Sequence, residues 1–86
     1  MHYLYILKSK ESGKYYIGET SNIIKRLKSH NLGKTSFGKR NKNLHLVFKK
    51  GFTSKCGVKK LESFLKRQKS HVFIDKFIAG KISIPL

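Results

Sequence analysis

Eighty-six residues with 20 Lys and Arg against 4 Asp and Glu carry a formal charge of +16. The chain is short for one that folds without disulfides or metal, yet 6 Phe, 4 Tyr and many aliphatic residues exclude a disordered polymer. A single cysteine, Cys56, excludes an internal disulfide, no apolar run approaches the roughly 20 residues of a membrane span, and charge of this density fits a polyanionic partner, nucleic acid first. The whole chain, 1–86, reads as one domain. The start, MHYLYILKSK, has neither a charged region ahead of its apolar stretch nor a small-residue cleavage site, so a cytoplasmic protein is expected. His2, His30, His45, His71 and Cys56 show none of the close pairings of a structural zinc site.

In chain order, residues 2–8 (HYLYILK) are aromatic and aliphatic throughout and predict a strand buried on both faces. SKESGK is a turn, and 15–20 (YYIGET) is a second strand, so the first twenty residues predict a hairpin. Gly18 inside that strand marks either a bulge or a place where another backbone or a ligand comes close. Thr20, Ser21 and Asn22 are all possible N-caps for a helix through IIKRLKSH, with Ile23, Ile24 and Leu27 as its core face and Gly33 as its left-handed stop. KTSFGKRNKN (34–43) predicts a basic loop too polar for the core. Residues 44–52 (LHLVFKKGF) predict a third strand. Thr53 or Ser54 then caps a long helix through KCGVKKLESFLKRQK, and Ser70 opens a shorter one with Val72, Phe73, Phe77 and Ile78 for the core, before a short tail, KISIPL.

Cleaving a phosphodiester needs a proton acceptor, a cation for the phosphate and, usually, a carboxylate for a metal ion. The stretch from Tyr16 to His30 supplies the first two: Arg26 and His30 are four apart on one side of the helix, just after Tyr16-Ile17-Gly18. Of the four acids, Glu11 reads as solvated, Asp75 as a surface pair with a lysine and Glu19 as half of a salt bridge. Glu62, between Leu61 and Leu65, falls at the edge of an apolar stripe, where a charge is costly unless paired or bound to a cation. It is either an ion pair with a lysine or a ligand for a hard divalent ion, which one carboxylate with waters and phosphate oxygens can hold. Tyr3, Tyr5, Tyr15 and Tyr16 all suit a sheet, and alternation puts Tyr15 and Tyr16 on opposite faces.

This order resembles the GIY-YIG nuclease family: a strand with Tyr5, a hairpin, Tyr16-Ile17-Gly18, a helix with Arg26 and His30, a basic loop, a strand and a helix with Glu62. The likeness is to its small stand-alone bacterial members, related to the N-terminal nuclease domain of the repair protein UvrC. It runs from Tyr3 to about Ile78. Tyr3-Leu4-Tyr5 stands where Gly-Ile-Tyr would be. The resemblance implies Tyr5 and Tyr16 side by side, one helping to activate water; Arg26 on the scissile phosphate; His30 accepting or relaying a proton; and Glu62 on one divalent metal. Arg26, the metal and the lysine-rich field would favour a phenolate. Two positions depart from the family: no asparagine follows Glu62 before Ile78, and Phe37 is followed by Gly38 where small relatives often have a threonine.

The expected fold is an α/β domain, a small antiparallel three-stranded sheet packed by helices. The expected activity is cleavage of DNA, in repair or recombination, with Mg²⁺ or Mn²⁺. Lys25, Lys28, Lys34, Lys39, Arg40 and Lys42 are the expected backbone contacts, and a protein partner is a possible source of selectivity, since the chain carries no second domain for it. The alternatives are a DNA- or RNA-binding module without catalysis, including a ribosome-associated one. A membrane-surface role fits least, because the basic residues are not gathered on one amphipathic helix.

Overall fold

The computed structural model describes residues 1–41, 43–68 and 70–80. Three strands, β1 (His2–Ser9), β2 (Tyr15–Thr20) and β3 (Leu44–Phe52), form an antiparallel sheet in the order β2-β1-β3. The helices are α1 (Ile23–Asn31), α2 (Ser36–Arg40), α3 (Lys55–Gln68) and α4 (His71–Ile78). This is the expected α/β arrangement, with the short helix α2 added inside the stretch that reads as a loop. No helix among the described residues is long and apolar enough to cross a membrane.

β1 is central, which is why its sequence is apolar on both faces. Leu4 and Ile6 join Val58, Leu61, Leu65 and Ile74 in a core beneath α3 and α4. Tyr5 and Leu7 point the other way and pack with Leu44, Tyr16, Ile23, Leu27, Phe37 and Leu46 beneath α1 and α2. The pairing of β1 with β3 shifts between Ile6 and Leu7, which face Phe48 and Leu46 and leave Val47 as the extra residue of a bulge. Strict alternation along β3 would put Leu44, Leu46, Phe48 and Phe52 on one face. The bulge instead sends the two leucines to the α1 side and the two phenylalanines to the α3 side.

The caps follow local chemistry. Asn22 accepts from the Lys25 N–H at 3.0 Å, Ser54 Oγ from Gly57 N–H at 3.2 Å and Ser70 Oγ from Phe73 N–H at 3.3 Å. Gly33 takes φ +73 after α1, as expected of its stop. Two expectations fail on the helix faces. Ile24 is 82% exposed, and Val72 is 61% exposed while Ile74 is buried. Of the apolar side chains of α1, Ile23 and Leu27 face the sheet, and on α4 the stripe is Phe73, Ile74, Phe77 and Ile78. Asp75 pairs with no lysine among the described residues; it accepts from the Tyr15 hydroxyl and ties α4 to β2, and desolvation by burial together with this bond pushes the Tyr15 phenol up to about 12. Phe37 stacks its ring 5.0 Å from that of Tyr16 instead of lying in a solvated loop. The tail KISIPL lies outside the described residues.

Gly18 marks no bulge, and what comes close to it is a side chain rather than another backbone or a ligand. The β1–β2 ladder is continuous, Tyr5 faces Gly18, and a Cβ there would lie 2.7 Å from Tyr5 Oη and 2.8 Å from Cζ. Gly18→Ala should therefore cost about 1–3 kcal/mol, read from urea unfolding; a variant as stable as the parent would show that the Tyr5 ring is free to move aside.

Candidate active site

The site lies on the α1 face of the hairpin. Pairing puts Tyr5 opposite Gly18 and Leu7 opposite Tyr16, so the two tyrosines sit diagonally on adjacent strands with ring centroids 6.1 Å apart. The Tyr16 side chain lies beside the Tyr5 ring and acts on its hydroxyl. His30, on the last turn of α1, is fully buried, with its ring 4.7 Å from that of Tyr16 and 6.2 Å from that of Tyr5. Both its nitrogens are bonded: Nε2 to Tyr5 Oη at 3.2 Å and Nδ1 to Thr35 Oγ1 at 2.6 Å. A buried polar ring so satisfied is stable as a neutral group.

The electrostatics distinguish these groups. Burial raises the Tyr5 phenol well above its ordinary value; Tyr16 and Glu62 raise it further, and Arg26 lowers it without reversing the sign. Tyr5, 2% exposed, is held as a phenol rather than the phenolate expected from its basic surroundings. Burial, and then the Arg26 charge, hold His30 below its ordinary value. An imidazolium there is disfavoured twice. Arg26 is exposed and lines an open polar cleft of about 400 Å³ with Thr20, Ser21, Asn22, Lys25 and Ser29. Its charge is felt at both Tyr5 and His30, which places a cation beside the buried pair.

Glu62 stands on α3 with its side chain 20% exposed, and one oxygen meets Lys66 Nζ at 3.2 Å. Its charge adds a small upward push on the Tyr5 phenol from the α3 side of the sheet. Of the two readings of Glu62, the pair with a lysine is present, and with a lysine 55% exposed it is worth only about 0.3–0.5 kcal/mol. Glu19 makes no salt bridge among the described residues. Its Oε2 is buried without a hydrogen-bond partner, and it alternates onto the face that Tyr15 and Ile17 present to α3. A single Asp or Glu in so basic a strand was the only signal for it.

The basic residues divide. Lys25 shares the cleft of Arg26. Lys28, two residues on and roughly 200° round the helix, lines an apolar cleft with Ile23, Ile24, Leu27 and Leu46 instead. Lys34, Lys39 and Arg40 are exposed around α2. Lys42 lies outside the described residues. Thr35, the N-cap of α2, is the site residue that sequence reasoning missed.

The description "GIY-YIG catalytic domain" matches residues 1–74. The chain belongs to the GIY-YIG family. A UPF0213 protein of Streptococcus pneumoniae serotype 4 is 37% identical over 68 residues, 78% of this chain and 68% of the relative. A UPF0213 protein of Bacillus subtilis (strain 168) is 30% identical over 79 residues, 87% and 79% of the two chains. The solution NMR structure of a UPF0213 protein from Bacillus halodurans superposes with a TM-score of 0.60 at 30% identity, covering 93% of this chain and 84% of that one. This GIY-YIG chain thus has the fold of small stand-alone members.

The buried imidazole makes stability pH-dependent. Unfolded, His30 binds a proton near its ordinary value of 6.5; folded, it does so only at lower pH. Its contribution is complete above about 6.5 and is lost as pH falls from there through the folded-state value. Urea midpoints should drop between pH 7 and pH 5, and His30→Gln should flatten that drop; an equal drop in both would remove His30 as its source.

Proposed function

We propose that the chain is an endonuclease that hydrolyses phosphodiester bonds in DNA with a divalent metal, Mg²⁺ or Mn²⁺, in repair or recombination. The observation that carries the reading is the convergence of Tyr5, Tyr16 and His30 in one bonded cluster, within the fields of Arg26 and Glu62. Packing alone accounts for a buried aromatic cluster; it does not account for a cation and a carboxylate whose charges are both felt at Tyr5.

The residues divide the work by burial. Arg26, at the mouth of an open cleft, holds the scissile phosphate and offsets the charge that grows on it. Tyr16 is partly exposed and meets the attacking water, while Tyr5 stays a phenol and donates to it. Tyr16 first gives its own hydroxyl proton to solvent. The water oxygen then bonds to phosphorus as the bond to the leaving oxygen breaks, the water proton goes to the Tyr16 oxygen, and solvent protonates the leaving oxygen. His30 acts as a neutral hydrogen-bond partner. Glu62, with Glu19 and its unpartnered oxygen beside α3, would hold the metal. A divalent ion there supplies Lewis-acid stabilisation of the leaving oxygen. Lys25, Lys34, Lys39 and Arg40 position the DNA backbone, and binding weakens steeply with salt. None of these contacts reads base sequence, so selectivity rests on DNA shape or on a protein partner.

One observation favours the alternative of a binding module without catalysis: Lys66 already occupies an oxygen of Glu62. Nicking of supercoiled plasmid and of branched DNA, with Mg²⁺, Mn²⁺ or EDTA, separates the two. Metal-dependent cutting should disappear in Glu62→Gln, which should also lose Mn²⁺ affinity in a spin-resonance titration while still binding DNA. Arg26→Ala should lower kcat by roughly 10²–10³-fold, and Tyr16→Phe should slow cleavage more than Tyr5→Phe. Salt-sensitive binding with no cutting in any metal would select the binding module.

A further inference from the structure

The turn between α1 and α2 sets a hydrogen-bond polarity that the tyrosines inherit. A neutral imidazole has one N–H and one lone pair. Thr35 Oγ1 sits 2.6 Å from His30 Nδ1 and, as the cap of α2, accepts the N–H of Gly38 at 3.0 Å. If Nδ1 carried the ring hydrogen, Thr35 Oγ1 would accept twice, and its own hydrogen would have no acceptor among the described residues. If Nδ1 carries the lone pair, every group is used. The threonine hydroxyl takes the bond from Gly38 and donates to Nδ1, Nε2–H donates to Tyr5 Oη, and the Tyr5 hydrogen is left for Tyr16.

We infer that Thr35 is a positioning residue whose hydroxyl holds His30 as the Nε2–H tautomer, so that a head-to-tail chain from Gly38 N–H through Thr35, His30 and Tyr5 ends on the oxygen of Tyr16. The chain delivers a donor to the oxygen that is partly exposed and leaves the buried one protonated. Water activation thereby falls to Tyr16. The geometry is rigid at its origin: a Cβ on Gly38 would lie 2.0 Å from the His30 carbonyl oxygen, so α2 is pressed against the end of α1 and Thr35 has little room to shift. The raised Tyr5 agrees with this direction, because it keeps the proton that the chain assigns to it, and the depressed His30 keeps the ring neutral. The tautomer stands on the geometry alone; its catalytic consequence rests on the nuclease reading above.

The test compares wild type, Thr35→Ser and Thr35→Asp. Serine keeps the donor. Aspartate keeps an acceptor for Gly38 N–H but offers Nδ1 no hydrogen, so it should reverse the ring. Long-range ¹H–¹⁵N spectra at pH 8 should show His30 as Nε2–H in wild type and Thr35→Ser, and as Nδ1–H in Thr35→Asp. Plasmid nicking by Thr35→Ser should stay close to wild type, while Thr35→Asp should lose about 10–100-fold in kcat with KM little changed. A wild-type Nδ1–H tautomer, an unchanged ring in Thr35→Asp, or a reversed ring with unchanged kcat would each overturn the assignment. The expected tautomers in a protein that cuts no DNA would retire the nuclease reading and leave the tautomer assignment standing.

Discussion

The imidazole of His30 has no exposed surface, and its two hydrogen bonds join strand β1 to helix α2 through the end of α1. An unbonded polar ring in that position would cost about 1–3 kcal/mol, a large share of what a domain this small can hold. The hydroxyls of Tyr5 and Thr35 are therefore structural requirements before they are anything else. Once they are in place, Tyr16 packs against the histidine, Phe37 packs against Tyr16, and α2 is drawn onto the sheet. The cluster that could do chemistry and the cluster that anchors the second core are the same residues.

Around this neutral centre the charges are arranged asymmetrically. A formal +16 on 86 residues repels itself in the folded state, and a polyanion on the surface relieves it. Against that background the few acids have particular places. Asp75 fastens α4 to Tyr15, Glu11 accepts from Asn43 beside the hairpin turn, and Glu19 and Glu62 serve the α3 side of the sheet. Among the described residues, the buried Glu19 oxygen has no hydrogen-bond donor, although the chain is rich in lysine. Arg26 stays outside the buried cluster, in an open polar cleft, but acts on it through its field, so the cluster feels a positive charge without any cation being buried.

The split of the core explains why a three-stranded sheet suffices. Because β1 is apolar on both faces, one strand nucleates two cores, one beneath α3 and α4 and one beneath α1 and α2. The bulge at Val47 lets β3 serve both, and Gly18 lets the Tyr5 ring lie flat against β2. Each device is small, a single extra residue or a missing Cβ, and each moves a side chain to the face where it is needed.

Much of this was written locally. The unbroken apolar run of β1, the polar caps at Asn22, Ser54 and Ser70, and the left-handed glycine after α1 all follow from the conformational and hydrogen-bond preferences of a few neighbouring residues. So does the shared side of Arg26 and His30, since helical spacing alone sets it. The faces of α1 and α4 were less legible, because Ile24 and Val72 are as apolar as their neighbours and only the position of the sheet decides which of them is covered. Helix α2 left no periodic signal in five residues, and the bulge in β3 left none at all. The role of Thr35 was hidden for the same reason. Its hydroxyl matters through a partner five residues away, across a turn whose path depends on Gly38 pressing against the His30 carbonyl. Sequence by itself determined which groups are present and which element carries each; the direction of the hydrogen bonds, and hence which tyrosine keeps its proton, was decided by burial and by contacts that exist only once the elements have packed.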